Sequence, residues 1–421
     1  MITNRLKLMN FLKNFHFDEK PRDLFSVNLV SNSIAFDSFV LSNQKYPKYV
    51  GEFWTSKQRQ SNSLHEIAYR ACFKPQLPNF FINLFTSIGD IVYDPFSGRG
   101  TTAIEAGLLD RNIIANDINP LSRILSQPRF FVPKIADLQN RLSKIPVKDL
   151  KADIDLFMFY HSKTESEIVS LQKYFFNKVK NGSADDLDKW IMMVATNRLT
   201  GHSPGFFSVY TLPPNQAVSQ ESQLKINKKR NQKPEYRNTK DIIFKKSLNL
   251  IKDITQEQKN TLKNIGTKAK FLDNDAKQNK EIRNNSVQLT VTSPPFLDIV
   301  QYSKDNWLRC WFNGIDSEDI AQKITMTRKI EEWSDVMGEV FKELFRITKV
   351  GGWVAFEVGE VRRGEIRLDE HVIPLGVNAG FICEGIVVNK QQFTKTSNIW
   401  GINNNNGGTN TNRIVLFLKT K

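Results

Sequence analysis

The chain has 421 residues, 40% of them hydrophobic, enough for a large catalytic domain with a second unit beside it. No apolar run approaches the ~20 residues of a membrane-spanning helix, and the opening Met-Ile-Thr-Asn-Arg-Leu-Lys lacks the apolar stretch of a signal peptide. Lysine and arginine outnumber aspartate and glutamate by 59 to 44, a net +15 that favours a polyanionic partner through counterion release.

Residues 1–52 are mixed and polar and read as an N-terminal arm or cap. Aromatic and basic residues then gather between Phe53 and Pro78, and an amphipathic helix runs from Asn79 to Phe85, ended by Gly89. His65 and Glu66 are neighbours, so they cannot share a helix face as metal ligands. They read as structural or DNA-facing, and no metal site is expected.

Ile91-Val92-Tyr93 suits a buried strand. It runs into Asp94-Pro95-Phe96-Ser97-Gly98-Arg99-Gly100-Thr101-Thr102, a Gly-x-Gly turn that feeds a helix. Such a turn leaves backbone N–H groups facing a crevice beyond the strand's carboxyl end. Gly98 and Gly100, without Cβ, let a ligand come close. The Walker lysine is missing, so a phosphate cradle is not expected. A second strand, Asn112 to Asn119, carries Asp117 at its tip. A carboxylate there can accept both hydroxyls of a ribose; the plainer reading is a turn aspartate before Asn119-Pro120.

Past Pro128 the alternation of strands and helices stops. Residues 131–265 read as an inserted, mostly helical region, with Leu187, Trp190, Ile191 and Val194 on one face of a helix over 185–198. A loop over 200–216, rich in glycine, proline, hydroxyls and aromatics, holds His202 and Tyr210. The basic stretch Lys225 to Arg237 follows, with Lys228, Lys229, Arg230 and Arg237. Basic side chains among Asn, Gln and Tyr offer phosphate contacts and groups able to read base edges. A solvated charged helix is the alternative, but so long an insertion favours DNA contact.

The alternation returns at Ala269 to Ala276, a third strand whose polar tip holds Asn274 and Asp275, either able to bond an adenine amine. Val287 to Phe296 is a fourth strand running into Ser293-Pro294-Pro295-Phe296. Adjacent prolines fix the backbone and remove its N–H groups, leaving carbonyls aimed at the crevice. Ser293 and the Pro294 carbonyl can then each bond an exocyclic amine, with Phe296 stacked on the base. A helix over 336–347 leads to a fifth strand at 353–359. Residues 381–388 and 413–418 suit a last antiparallel pair, joined by an asparagine-rich loop at 396–412. Cys72, Cys310 and Cys383 lie far apart, as expected of a reduced, intracellular protein; a DNA partner would place it in the cytoplasm, associated with the nucleoid.

Asp-Pro-Phe-x-Gly-x-Gly-Thr-Thr at 94–102 and Thr-Ser-Pro-Pro-Phe at 292–296 resemble the motifs of S-adenosylmethionine-dependent amino-DNA-methyltransferases. The serine form of the second motif is similar to the N4-cytosine branch; the adenine-N6 branch more often carries Asp or Asn in place of Ser293. The Pro-Cys nucleophile of 5-methylcytosine enzymes is missing. The resemblance covers residues 53–125 and 268–420. It implies an α/β fold, a Rossmann-like seven-stranded methyltransferase sheet, with a catalytic domain at 53–130 and 266–421 around the inserted recognition region. It also implies S-adenosyl-L-methionine, bound by Asp94, Pro95, Phe96, Gly98, Gly100, Thr101, Thr102 and Asp117, by Asn274 or Asp275, and by Lys74, Pro75 and Gln76 at the methionine end.

Catalysis is implied at Ser293, Pro294, Pro295 and Phe296, by direct in-line transfer to a base turned out of the duplex. The implied partners are double-stranded DNA and a cognate restriction endonuclease. One departure is that the insertion precedes the third strand. An RNA base-amine methyltransferase and a non-catalytic DNA-binding module are the competing readings. The intact set Asp94, Gly98, Gly100, Asp117 and Ser293 speaks against the second.

Overall fold

Continuous apolar runs become strands buried on both faces: in 348–358, Trp353 and Ala355 enter one core while Val354, Phe356 and Val358 enter the other. The computed structural model describes residues 8–421 except 9, 13, 16–33, 55–60, 70–71, 213–215, 296–301, 325–326, 328, 362–365 and 391–410. Eleven strands are described: β1 (Ala35–Leu41), β2 (Gln44–Gly51), β3 (Ile91–Asp94), β4 (Asn112–Asn116), β5 (Lys270–Leu272), β6 (Val287–Thr292), β7 (Thr348–Val358), β8 (Glu360–Val361), β9 (Ile366–Arg367), β10 (Ile382–Lys390) and β11 (Thr411–Leu418). Nine form one sheet in the order β1-β2-β10-β11-β7-β6-β3-β4-β5, and β8 and β9 form a separate ribbon.

The sheet therefore has nine strands where seven were expected. β3 to β7, β10 and β11 supply the seven; the hairpin β1–β2, from a stretch read as an arm or cap, adds the others. β2 pairs in parallel with β10, with Lys48 opposite Ile386 and Gly51 opposite Asn389. The hairpin escapes a sequence reading because only Tyr46 and Tyr49 of β2 are buried, among lysine and glutamine.

From β3 the chain moves outward through β4 to β5, then returns to β6 on the other side of β3 and continues to β7. All four of these pairings are parallel. Strand order thus reverses between β3 and β6, where an open α/β sheet leaves a crevice at its carboxyl edge.

Between β4 and β5 lie helices Ile135–Lys144, Ser162–Lys180, Asp186–Arg198, Gln220–Arg230, Thr239–Ile251 and Gln256–Gly266. Capping boxes start two of them, Asp185 with Asp188 and Thr255 with Gln258. Trp190 is fully buried, its indole donating to Ser247 Oγ at 3.0 Å. Helix Gln256–Gly266 lies against helix Thr101–Leu108 so closely that a Cβ on Gly107 would meet Leu262 at 2.9 Å. Insertion and sheet share one hydrophobic core. Among the described residues no helix is long and apolar enough to cross a membrane.

Candidate active site

The carboxyl ends of β3 and β6 bring the two sequence motifs together. Thr292 Oγ1 donates to Asp94 Oδ1 at 2.6 Å, and the same oxygen accepts the Phe96 N–H at 3.1 Å. One residue-pair deeper, Thr102 Oγ1 donates to the Val291 carbonyl at 3.1 Å. Gly98 and Gly100 adopt left-handed conformations, φ +51° and +78°. At Gly100 a Cβ would also meet Ser126 Cβ at 2.4 Å, so a side chain has no room there.

Over this junction lies a cleft with about 1080 Å³ of empty space, its open mouth included. One side is polar. Asp117 Oδ2 accepts the Gly98 N–H at 2.8 Å and its Oδ1 the Asn119 N–H at 2.9 Å. Burial pushes Asp94 up to about 7 and Asp117 up to about 6, against these hydrogen bonds, which pull both down. Ser97 Oγ and Asn119 Nδ2, both on the cleft wall, are buried without a hydrogen-bond partner among the described residues. The facing side is apolar, with Phe96, Trp333, Val336, Met337 and Val340. The donor set fits S-adenosyl-L-methionine: carboxylates for hydroxyls and positive charge, orphaned polar atoms for its heteroatoms, and an apolar wall for a flat ring.

Ser293 and Pro295 line the same cleft. The Ser293 hydroxyl hydrogen-bonds Glu357 at the end of β7. Burial raises the Glu357 carboxyl, which also accepts from Asn412 Nδ2 at 2.7 Å. Trp333 Nε1 donates to the Pro295 carbonyl at 2.9 Å. Phe296 lies outside the described residues.

Other expected residues divide. Asp275 lines the cleft and pairs with Lys277 at 3.2 Å. Asn274 instead ties β4 to β5, its N–H donating to Asn116 Oδ1 at 3.1 Å and its amide to Glu281 at 3.0 Å. Pro95, Phe96, Gly98 and Thr101 line the cleft, whereas Lys74, Pro75 and Gln76 do not; Tyr69, Cys72 and Phe73, just before them, do. Lys74 is half-buried, and burial, with Arg99 nearby, lowers its ammonium. His65 is buried with Nε2 2.6 Å from Glu105 Oε1, and Glu66 faces Lys246 and Lys252 at 3.4 and 3.1 Å.

In the insertion, Lys228, Lys229 and Arg230 are exposed at the end of their helix. The Arg230 guanidinium lies 3.7 Å over the Tyr210 ring. His202 is exposed at the loop tip. Arg237, read from sequence as a DNA contact, is turned inward. Its Nη1 donates to the carbonyls of Ser203 at 3.3 Å, Phe206 at 2.9 Å and Ser208, so it holds this loop. The loop's flanks reach the cleft's surroundings. Asn197 Nδ2 donates to the Ala68 carbonyl at 2.9 Å, and the Ala217 N–H to the Asp305 carbonyl at 3.0 Å.

Residues 14–123, which include the glycine loop and Asp117, match the N6/N4 family of DNA methylases. This segment is similar to DNA methylases. Type II methyltransferase M.BsoBI of Geobacillus stearothermophilus is 24% identical over 289 residues, 62% of this chain and 55% of that protein. Type II methyltransferase M.MvaI of Kocuria varians is 24% identical over 318 residues, 69% of this chain and 64% of that protein. The tRNA (guanine(10)-N2)-dimethyltransferase of Methanocaldococcus jannaschii is 35% identical over 96 residues, 22% of this chain and 27% of that protein. The chain thus spans less than two thirds of the length of these relatives.

Proposed function

We propose that this chain transfers a methyl group from S-adenosyl-L-methionine to the exocyclic N4 amine of cytosine in duplex DNA, as the modifying half of a restriction–modification pair. The observation that carries the reading is the Thr292–Asp94 hydrogen bond, which puts the glycine loop and the diproline turn on one cleft. The cofactor supplies a methyl group already activated by a positive sulfur.

The chain's own residues bind and orient. Asp117 would offer carboxylate oxygens to ribose hydroxyls, Asp275 on the cleft wall would accept from an adenine amine, and Asp94 would hold the glycine loop against the cofactor. An amine inside a duplex cannot reach the cleft, so the base is turned out of the stack. Lys228, Lys229 and Arg230 serve the DNA backbone, and His202 and Tyr210 the neighbouring grooves. Ser293 and the Pro294 carbonyl accept the amine's two hydrogens. Because the Ser293 proton points to Glu357, its oxygen lone pairs are free for that task. A conjugated amine is a poor nucleophile, and holding its lone pair toward the methyl carbon is the main contribution. Ser293, rather than Asp or Asn, supports the N4-cytosine branch over adenine-N6.

A second reading, an RNA base-amine methyltransferase, is favoured by the likeness to the tRNA enzyme over 96 residues. Both are tested by incubating the protein with tritiated cofactor and either duplex DNA or tRNA, then digesting to nucleosides for mass spectrometry. N4-methylcytosine from DNA is expected. N6-methyladenine would change the target base, and label in tRNA alone would overturn the proposal.

A further inference from the structure

The diproline turn has an unusual need. Pro294 and Pro295 contribute carbonyls but no N–H groups, so the turn cannot brace itself with its own backbone donors. Thr292 is fixed by Asp94 and Ser293 by Glu357. The far side is held by Trp333, whose indole nitrogen lies 2.9 Å from the Pro295 oxygen. That indole is only 2% exposed, and the helix carrying it, Ile330–Ile347, is anchored by Phe341, Leu344 and Ile347 against the sheet. The donor is therefore rigidly placed. Trp333 also forms part of the apolar wall of the cleft, beside Met337.

We propose that Trp333 is a positioning residue: by engaging the carbonyl of Pro295, on the cleft wall, it fixes the turn that carries Ser293 at a set angle to the apolar wall. This rests on the methyl-transfer reading above. A turn left loose on that side could rock about its Thr292 and Ser293 anchors and carry the amine acceptor away from the methyl donor. The same ring connects the acceptor turn to the wall where the donor lies, so orientation on one side is referenced to the other.

The test uses two variants of the full chain. Trp333→Phe keeps an aromatic wall and removes the donor; replacing Trp333 by 3-benzothienylalanine keeps the full ring size as well, and serves should the smaller ring disturb folding. The expected result is a fall in kcat for methyl transfer of at least tenfold, with cofactor Kd by calorimetry within twofold of wild type. Hydrogen exchange at Thr292 and Ser293 in the free protein should also quicken in both variants. Unchanged kcat and exchange would overturn the proposal, as would a loss of cofactor affinity matching the loss of kcat, which would make Trp333 a wall residue alone. The wild-type product nucleoside, read in the same assay, reports separately on the methyl-transfer reading. The exchange measurement decides the role of Trp333 even if that reading fails.

Discussion

Thr292 and Asp94 stand 198 residues apart in sequence and share a 2.6 Å hydrogen bond at the floor of the cleft. Both are buried, so no water substitutes for either partner. Thr292→Val, nearly isosteric, should lower stability by about 1–3 kcal/mol, the cost of stranding a buried polar partner. Thr292→Ser keeps the hydroxyl and should lose much less. Urea unfolding of the two variants distinguishes them; equal losses would assign the effect to packing.

The raised carboxyls at Asp94 and Asp117 give a pH dependence with a definite sign. With a folded pKa of about 7 against the ordinary value near 4, the folded state binds more protons than the unfolded state across that window. Stability from Asp94 therefore falls as pH rises from about 4 to about 7 and then levels off; for Asp117 the fall ends near 6. The Thr292 and Phe96 donors to Asp94 use Oδ1, which an asparagine retains. Asp94→Asn should raise the melting temperature of the free protein at pH 8 and leave it nearly unchanged at pH 4. A gain of the same size at both values would remove ionisation as its cause.

Ser293→Ala should reduce methyl transfer at least tenfold while DNA affinity stays nearly intact, because the hydroxyl it removes serves the target amine and Glu357 and not the DNA backbone. Asp117→Ala should weaken cofactor binding without altering DNA affinity. Calorimetry with cofactor and fluorescence anisotropy with duplex DNA check the pair, and the reverse pattern would exchange the two roles.

Salt dependence separates the two kinds of basic residue in the insertion. Lys228→Ala, removing an exposed cation, should reduce the slope of log K against log salt by about one. Arg237→Ala should leave that slope unchanged, since its guanidinium is held by loop carbonyls, and should instead reduce the preference for specific over non-specific DNA. A reduced slope for Arg237→Ala would return it to the phosphate-contacting set.

Much of the fold is legible in the chain because parallel strands covered on both faces write continuous apolar runs. Ile91 to Tyr93 and Trp353 to Phe356 are such runs, whereas Val287 to Val291 alternates with Gln288 and Thr290; each lies in a strand. The polar hairpin β1–β2 has no such signature. At the site, local motifs marked Asp94, Gly98 and Ser293, and even Ser97 and Asn119 stand within or beside them. Trp333 was beyond reach, since a hydrogen bond to a residue 38 positions away leaves no local pattern. Arg237 is hard to read from sequence for a different reason. A guanidinium bracing carbonyls and one gripping phosphate look alike in text, and only its inward direction tells them apart.

Helix Gln256–Gly266 leans on the glycine-loop helix through Gly107 and Leu262, and that contact limits how new specificities can arise. Transplanting residues 131–265 from a relative would drag foreign side chains against the very helix that shapes the nucleotide end of the cleft. If the insertion reads DNA as proposed, sequence preference would change by small edits at loop tips such as His202 to Gly205, not by exchange of whole cassettes.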